Sequence, residues 1–306
     1  MSVITFNGVT KSFGDTKAVD EVSFEVTSGR IFGLLGPNGA GKTTAIRMIN
    51  NILIQDAGTI DIIGQSPSPQ TQRSIGYMPE ERGLYKNMKV GEQLIYLARL
   101  KGVTHHKADK SMRYWLDRFD ARDWLNKDLG ELSKGMSQKI QFIATIIHDP
   151  EIYIFDEPFS GLDPINSELL KQVVLELRDQ GNTILFSTHR MEQVEQMCDE
   201  ICLFNRGKKV LSGNLREIKQ SFGKNTVLIE FEGNPGFLNT LSNVRINNRS
   251  TNFAEIRVLD GQQTQQILEK AMQNVAVHKF ERVTPSLQEI FISTVGEDNI
   301  NMQELK

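Results

Sequence analysis

The chain has 306 residues, 39% hydrophobic and 24% charged, with a formal net charge of −3. That is length enough for one large domain or two smaller ones around a real core, and the absence of a basic block excludes a general electrostatic pull toward nucleic acid, so no nucleic-acid partner is expected. Only two cysteines occur, Cys198 and Cys202, too few for a disulfide framework; they read as buried, reduced thiols. The start MSVITFNGV lacks the charged and apolar regions of a secretory signal, and no apolar stretch approaches the ~20 residues a membrane span needs. The expectation is a cytosolic chain that does not itself cross a membrane.

Along the chain, residues 1–30 carry short period-two patterns, ITFNGVTKSF and VSFEVT, that predict strands. Three runs apolar on both faces follow, RIFGLLG, EIYIFDE and TILFSTH. Such runs predict central strands of a parallel sheet covered by helices on both sides. In NSELLKQVVLELRDQG, Leu169, Leu170, Val173, Val174 and Leu177 form one helical stripe. Residues 80–135 interrupt the α/β alternation with two amphipathic helices, GEQLIYLARLKG and KADKSMRYWLDRFD. Met112, Trp115, Leu116 and Phe119 of the second share a face. SQKIQFIATIIH predicts a further helix with Ile140, Ile143, Ala144 and Ile147 turned inward. After about residue 220 the pattern changes to KNTVLIEFEG, NFAEIRVLDG, QQTQQILEKAMQN and VAVHKFERV. Residues 221–306 therefore read as a small, separate β/α domain joined near SFGKN.

The strand RIFGLLG runs straight into GPNGAGKTT and then a helix. This matches G-x-x-x-x-G-K-[ST] in the context the motif requires, with Gly36, Gly41, Lys42 and Thr43 in register. Glycines let consecutive backbone N–H groups face a phosphate, and the helix N-terminus adds positive potential. The loop Gly36, Pro37, Asn38, Gly39, Ala40, Gly41, Lys42, Thr43 and Thr44 is thus expected to hold a nucleotide. Lys42 would reach the β- and γ-phosphates, and Thr43 would offer a hydroxyl to Mg²⁺. EIYIFDEP ends a buried strand on Asp156 and Glu157. An acid buried there needs a positive partner, so Asp156 is read on the metal side and Glu157 as the group that orients or deprotonates an attacking water. His189 closes TILFSTH at the sheet edge where ligands bind, and could bond the γ-phosphate. His148, His278 and the pair His105–His106 read as structural.

The order GPNGAGKT, LSKGMSQK at 132–139, IYIFDEP, SGLDP at 160–164 and STH at 187–189 resembles the ATP-binding subunits of ABC transporters over about residues 1–215. The resemblance implies an α/β P-loop NTPase of the ABC ATPase type, with an N-terminal β subdomain, an inserted helical subdomain and a C-terminal accessory domain. It implies ATP and Mg²⁺ as cofactors, with Lys42, Glu157 and His189 catalytic and Thr43, Asp156 and Glu80 on the metal side. It implies two ATP-binding subunits paired head to tail, so that Ser133 and Gly135 meet the partner's ATP and Asp163 lies at the contact. Phe13 matches the aromatic that stacks on adenine. Two departures stand out: Glu80 where the family usually has Gln, and Lys134 and Met136 where Gly and Gln are usual. GYMPEERGLYKNMKV, SKGM and PSLQEIFISTVGE are similar to the ABC-2 exporter-type subgroup, including subunits ascribed to sodium, drug or peptide extrusion. There the membrane-spanning part is a separate permease, expected to dock near residues 80–90 and hold the chain at the cytoplasmic face of the membrane. The alternatives are an ABC-type ATPase not tied to a membrane and an ATP-binding regulatory subunit.

Overall fold

The computed structural model describes residues 1–81, 83–223, 226–259 and 264–296. Arg82 of the expected docking segment and the last residues of the expected accessory domain lie outside them. The chain divides into two units, Met1–Gly213 and one beginning at Asn214.

The first unit opens with a long hairpin, β1 (Ser2–Phe13) and β2 (Thr16–Thr27), each twelve residues. The expected short strands are in fact continuous, because β-bulges absorb the breaks in their alternation. There follow β3 (Ile31–Leu35), α1 (Lys42–Ile49), β4 (Ala57–Ile62) and β5 (Ile75–Met78). β4 pairs with β1, completing a three-stranded antiparallel sheet in the order β2-β1-β4. The interruption then comes as α2 (Val90–Leu100) and α3 (His105–Arg118), followed by α4 (Lys134–Ile146). Met112, Leu116 and Phe119 are buried on the predicted face. From there Phe119 packs on Phe142 at 5.7 Å between centroids, and Phe142 stacks on Phe155 at 5.0 Å, tying these helices to the sheet.

The α/β pattern resumes with β6 (Ile152–Asp156), α5 (Pro164–Asp179), β7 (Thr183–Thr188), α6 (Met191–Met197), β8 (Glu200–Asn205) and β9 (Lys208–Asn214). The three doubly apolar runs become β3, β6 and β7, and every residue of each strand is buried. The six-stranded order is β5-β6-β7-β3-β8-β9, with the pairs from β5 through β8 parallel. Between this sheet and the three-stranded one, Phe6 stacks on Phe24 at 4.5 Å and Phe24 on Phe32 at 5.4 Å. Cys198 and Cys202 are buried free thiols.

The second unit starts ahead of the expected join near residue 220. Asn214 caps α7 (Leu215–Ser221), accepting from the N–H groups of Arg216 at 3.0 Å and Glu217 at 3.2 Å. That helix reads on from the preceding strand without any break in composition. After it come β10 (Thr226–Glu232), β11 (Val244–Arg249), β12 (Phe253–Val258), α8 (Thr264–Asn274), β13 (Ala276–Val283) and α9 (Leu287–Val295). The strands form an antiparallel sheet in the order β11-β12-β10-β13. Its own core gathers Val227, Ile229 and Phe231 of β10, Ile256 of β12 and Ile267 and Ala271 of α8.

Candidate active site

The site forms at the C-terminal ends of β3, β6 and β7, where a phosphate-binding loop, an acidic pair and a histidine converge. Gly41, at φ +107, precedes α1; a Cβ there would lie 2.2 Å from the carbonyl oxygen of Ala18, and one on Gly36 would lie 2.2 Å from that of Phe204. No side chain fits either place, so glycine is what lets the loop fold this tightly. The loop is buttressed from outside its own sequence: Gly207, in the turn joining β8 to β9, donates to the Ala40 carbonyl at 3.0 Å. Lys42 is buried, and its ammonium donates to the carbonyls of Gly36 at 2.7 Å and Pro37 at 3.1 Å.

A cavity of about 250 Å³ is lined by residues Asn38 to Thr44 of the loop, by Ala18, and by Glu80, Asp156 and Glu157. Burial pushes the Lys42 amine below its usual range, while Glu157, Asp156 and Glu80 pull it back up. Asp156 is 1% exposed. Burial raises its carboxyl, although the Ser187 hydroxyl donates to Oδ1 and the Thr43 hydroxyl and the Lys42 ammonium, both nearby, favour its charged form. Its Oδ2 has no hydrogen-bond partner. Glu80 is raised by burial and by the carboxylates of Asp156 and Glu157.

Glu157 has φ +51, a left-handed conformation unusual for a residue with a long side chain. Its carboxylate is held by three donors. Oε1 accepts from the His189 N–H at 2.9 Å and from His189 Nδ1 at 2.7 Å, and Oε2 from the Thr188 hydroxyl at 3.2 Å. A carboxylate offers about four lone-pair sites, so Oε2 keeps one for a further donor.

The structure therefore brings together the loop, Lys42, Thr43, Glu80, Asp156 and Glu157. His189 is joined to Glu157 but does not line the cavity. Phe13 is half exposed at the tip of the β1–β2 hairpin, with the Lys11 ammonium 5.7 Å from its ring centroid. Ser133, Gly135 and Asp163 lie away from the cavity. Ser133 caps α4, accepting from the Met136 N–H at 3.3 Å. Asp163 caps α5, accepting from Asn166 N at 2.9 Å, and its hydrogen bonds from Asn166 hold its carboxyl below the usual range. Three residues complete the site without having been singled out: Ala18, Ser187 and Thr188. The last two sit in the run STH, where a hydroxyl pair at a buried strand end was the available signal.

Thr43, the unpartnered Asp156 oxygen and Glu80 are hard oxygen donors, the set that suits Mg²⁺ held jointly with phosphates. Among the described residues no group of three His, Cys, Asp or Glu that could hold a metal ion occurs.

A second cavity, about 390 Å³, lies beside residues 77–84. Its walls include Ile52, Tyr77, Leu84, Leu97 and Leu100, and Ile52 and Leu100 are more than half exposed. Gln141 lines it too; its amide donates to the Pro79 carbonyl at 2.7 Å, while its Oε1 is buried and unpartnered.

A glycine-rich loop opening a helix, a lysine within it and an acidic pair at the end of β6, two strands from β3 in the same sheet, define a P-loop ATPase. A family model described as ABC transporter matches residues 19–160, and one described as ATP-binding protein DrrA1-3-like, C-terminal domain, matches residues 213–295. The chain is 46% identical over 294 residues to the uncharacterized ABC transporter ATP-binding protein YhaQ of Bacillus subtilis (strain 168), covering 96% of this chain and 99% of that protein. It is 32% identical over 298 residues to the Nod factor export ATP-binding protein I of Rhizobium sp. (strain N33), covering 96% and 97%. A solved ATP binding subunit of an ABC transporter superposes with a TM-score of 0.69 at 29% identity, covering 72% of this chain and 94% of that one. The chain belongs to the ATP-binding subunits of ABC transporters, ATPases that work with membrane permease components.

Proposed function

We propose that this chain is the ATP-hydrolysing motor of an exporter, with Glu157 as the general base. The observation that carries this is the shared cavity: Lys42, Asp156 and Glu157 face one space at the mouth of the phosphate loop. Loop N–H groups and Lys42 bind the β- and γ-phosphates. Thr43 and Asp156, with Glu80 beside them, hold Mg²⁺, which draws charge from the phosphate oxygens when bound. Glu157 takes a proton from water as the water oxygen bonds to the γ-phosphorus and the bond to the β–γ bridging oxygen breaks. His189 and Thr188 fix the base and leave one Oε2 lone pair for that water. His189 is also within reach of reporting γ-phosphate loss through its bond to Glu157.

Two copies pair head to tail, so that Ser133 and Gly135 at the start of α4 meet the γ-phosphate on the other copy, Asp163 lies at the contact, and Phe13 stacks on adenine. A separate permease inserts a cytoplasmic helix into the cavity beside residues 80–90. The apolar walls and the unpartnered Gln141 oxygen suit a helix with an apolar face and one donor. The chain then sits at the cytoplasmic face of the membrane through its permease. An export direction is favoured by the likeness, over nearly the whole chain, to an export ATP-binding protein.

Glu157→Gln is expected to bind Mg-ATP and to lose turnover by about 10²–10⁴-fold. Steady-state phosphate release beside nucleotide-binding titration checks this, and near-wild-type release would refute the base. The same variant, tagged and recovered with Mg-ATP from detergent-solubilised membranes, should bring a polytopic membrane protein in fixed ratio.

A further inference from the structure

The first two turns of α4 and the loop after Glu157 meet at three places. Gln138, 5% exposed, donates from Nε2 to the carbonyl of Pro158 at 3.0 Å, one residue beyond Glu157. Gly161 has φ +73, and a Cβ placed on it would lie 2.6 Å from Cε of Lys134 and 3.0 Å from its Nζ. The Lys134 side chain thus lies across the bare face of that glycine. Between these points, a Cβ on Gly135 would find Leu162 Cδ2 at 4.0 Å. The loop is itself tightly wound: Ser160 N–H donates to the Glu157 carbonyl at 3.1 Å, and Leu162 N–H to that of Phe159 at 3.4 Å.

Among the described residues no ion pair or hydrogen bond holds the Lys134 ammonium. Lys134 is exposed; what lies against the Gly161 backbone is its methylene stem, while the charge stays in water. A glycine at 134 would leave this contact unmade. Glu157 meanwhile holds an unfavourable φ of +51, and such a conformation persists only where its surroundings over-determine it. One side of those surroundings is the strand end and His189. The other is the loop that Gln138 and Lys134 pin to α4.

We infer that Lys134 is a positioning residue for ATP hydrolysis: its stem clamps residues 158–163 onto α4 and thereby sets the Glu157 carboxylate against its water. This rests on the reading of Glu157 as the base and deepens it. It also makes the segment that carries Ser133 and Gly135 mechanically continuous with the base of the same chain.

The test is steady-state Mg-ATP hydrolysis by the full chain carrying Lys134→Gly, Lys134→Met, Gly161→Ala or Lys134→Gly with Gly161→Ala, with thermal midpoints recorded for each. Lys134→Gly should lower kcat by about tenfold or more, the scale set by small misplacements of reacting groups. KM for ATP should stay within about twofold, since ground-state binding is untouched. Lys134→Met keeps the stem without the charge and should rescue kcat to within about twofold of wild type. Gly161→Ala pushes the stem away, so the double variant should lose no more than the worse single one, as coupled residues do. Unchanged kcat in Lys134→Gly, a loss in Lys134→Met as deep as in Lys134→Gly, or a strictly additive double variant overturns the clamp. Glu157→Gln run alongside separates the two readings. If it still turns over, the base assignment falls and the inference with it. If it is silent while Lys134→Gly runs at the wild-type rate, only the clamp falls.

Discussion

At the scale of single residues, burial without full compensation marks the working groups, and one residue outside the active site shows its cost. His148 is half-buried beside Lys101, with Nε2 on the Ile75 carbonyl at 3.3 Å. Burial chiefly, and Lys101 next, depress its pKa from 6.5 to about 4. The unfolded chain takes up that proton below about pH 6.5 and the folded chain only near pH 4, so the unfolded state binds more protons across that window. Stability is therefore lost as pH falls from about 6.5 to 4, by about 2 kcal/mol after discounting for partial solvent access. In His148→Gln the fall in thermal midpoint between pH 7 and 4.5 should be smaller than in the wild type; an equal fall would show that His148 does not limit acid stability. Asp156, Glu157 and Lys42 were legible because a loop motif and an acidic strand end each carry a spacing. The Glu157–His189 bond was not, because the two residues follow the ends of different strands and only the parallel register of β6 and β7 joins them.

Among elements, α9 shows how much one side chain can organise. Ser286 and Glu289 form a capping box, and the S-x-x-E spacing in PSLQEI announces it. What the spacing does not announce is that the same carboxylate accepts from the Thr226 hydroxyl of β10 at 3.2 Å and from Asn247 of β11. Glu289 is 6% exposed and Thr226 1%, so this helix start is anchored to two strands in a dry setting. Glu289→Ala would strand those donors and remove half the cap, costing about 2–3 kcal/mol. Chemical denaturation followed on the second unit should show that loss, and Glu289→Gln should recover part of it. The long apolar strands and the stripe on α5 could be read from sequence because their patterns are local. The start of the second unit could not, because α7 differs from what precedes it only in its cap.

Taken whole, the molecule has two units with separate hydrophobic cores, and the nucleotide residues belong to the first. Binding stabilises only what it touches, by about 2.7 kcal/mol at a hundredfold excess over Kd. Calorimetry of Glu157→Gln should therefore show two transitions, with Mg-ATP raising one and leaving the other in place; a single transition shifting as a whole would mean the units unfold together. The topology of the first unit has a further consequence, for synthesis. β3, which launches the phosphate loop at residue 36, is flanked by β7 and β8, from residues 183–188 and 200–205, and the loop's buttress is Gly207. Pairings this distant in sequence form late. On the ribosome the nascent chain thus carries its glycine-rich motif outside the exit tunnel for most of translation without a site to put it in. Nucleotide can be retained only once the turn at 206–207 has emerged, so ATP binding marks the moment at which the first unit is finished, while the second is still being made.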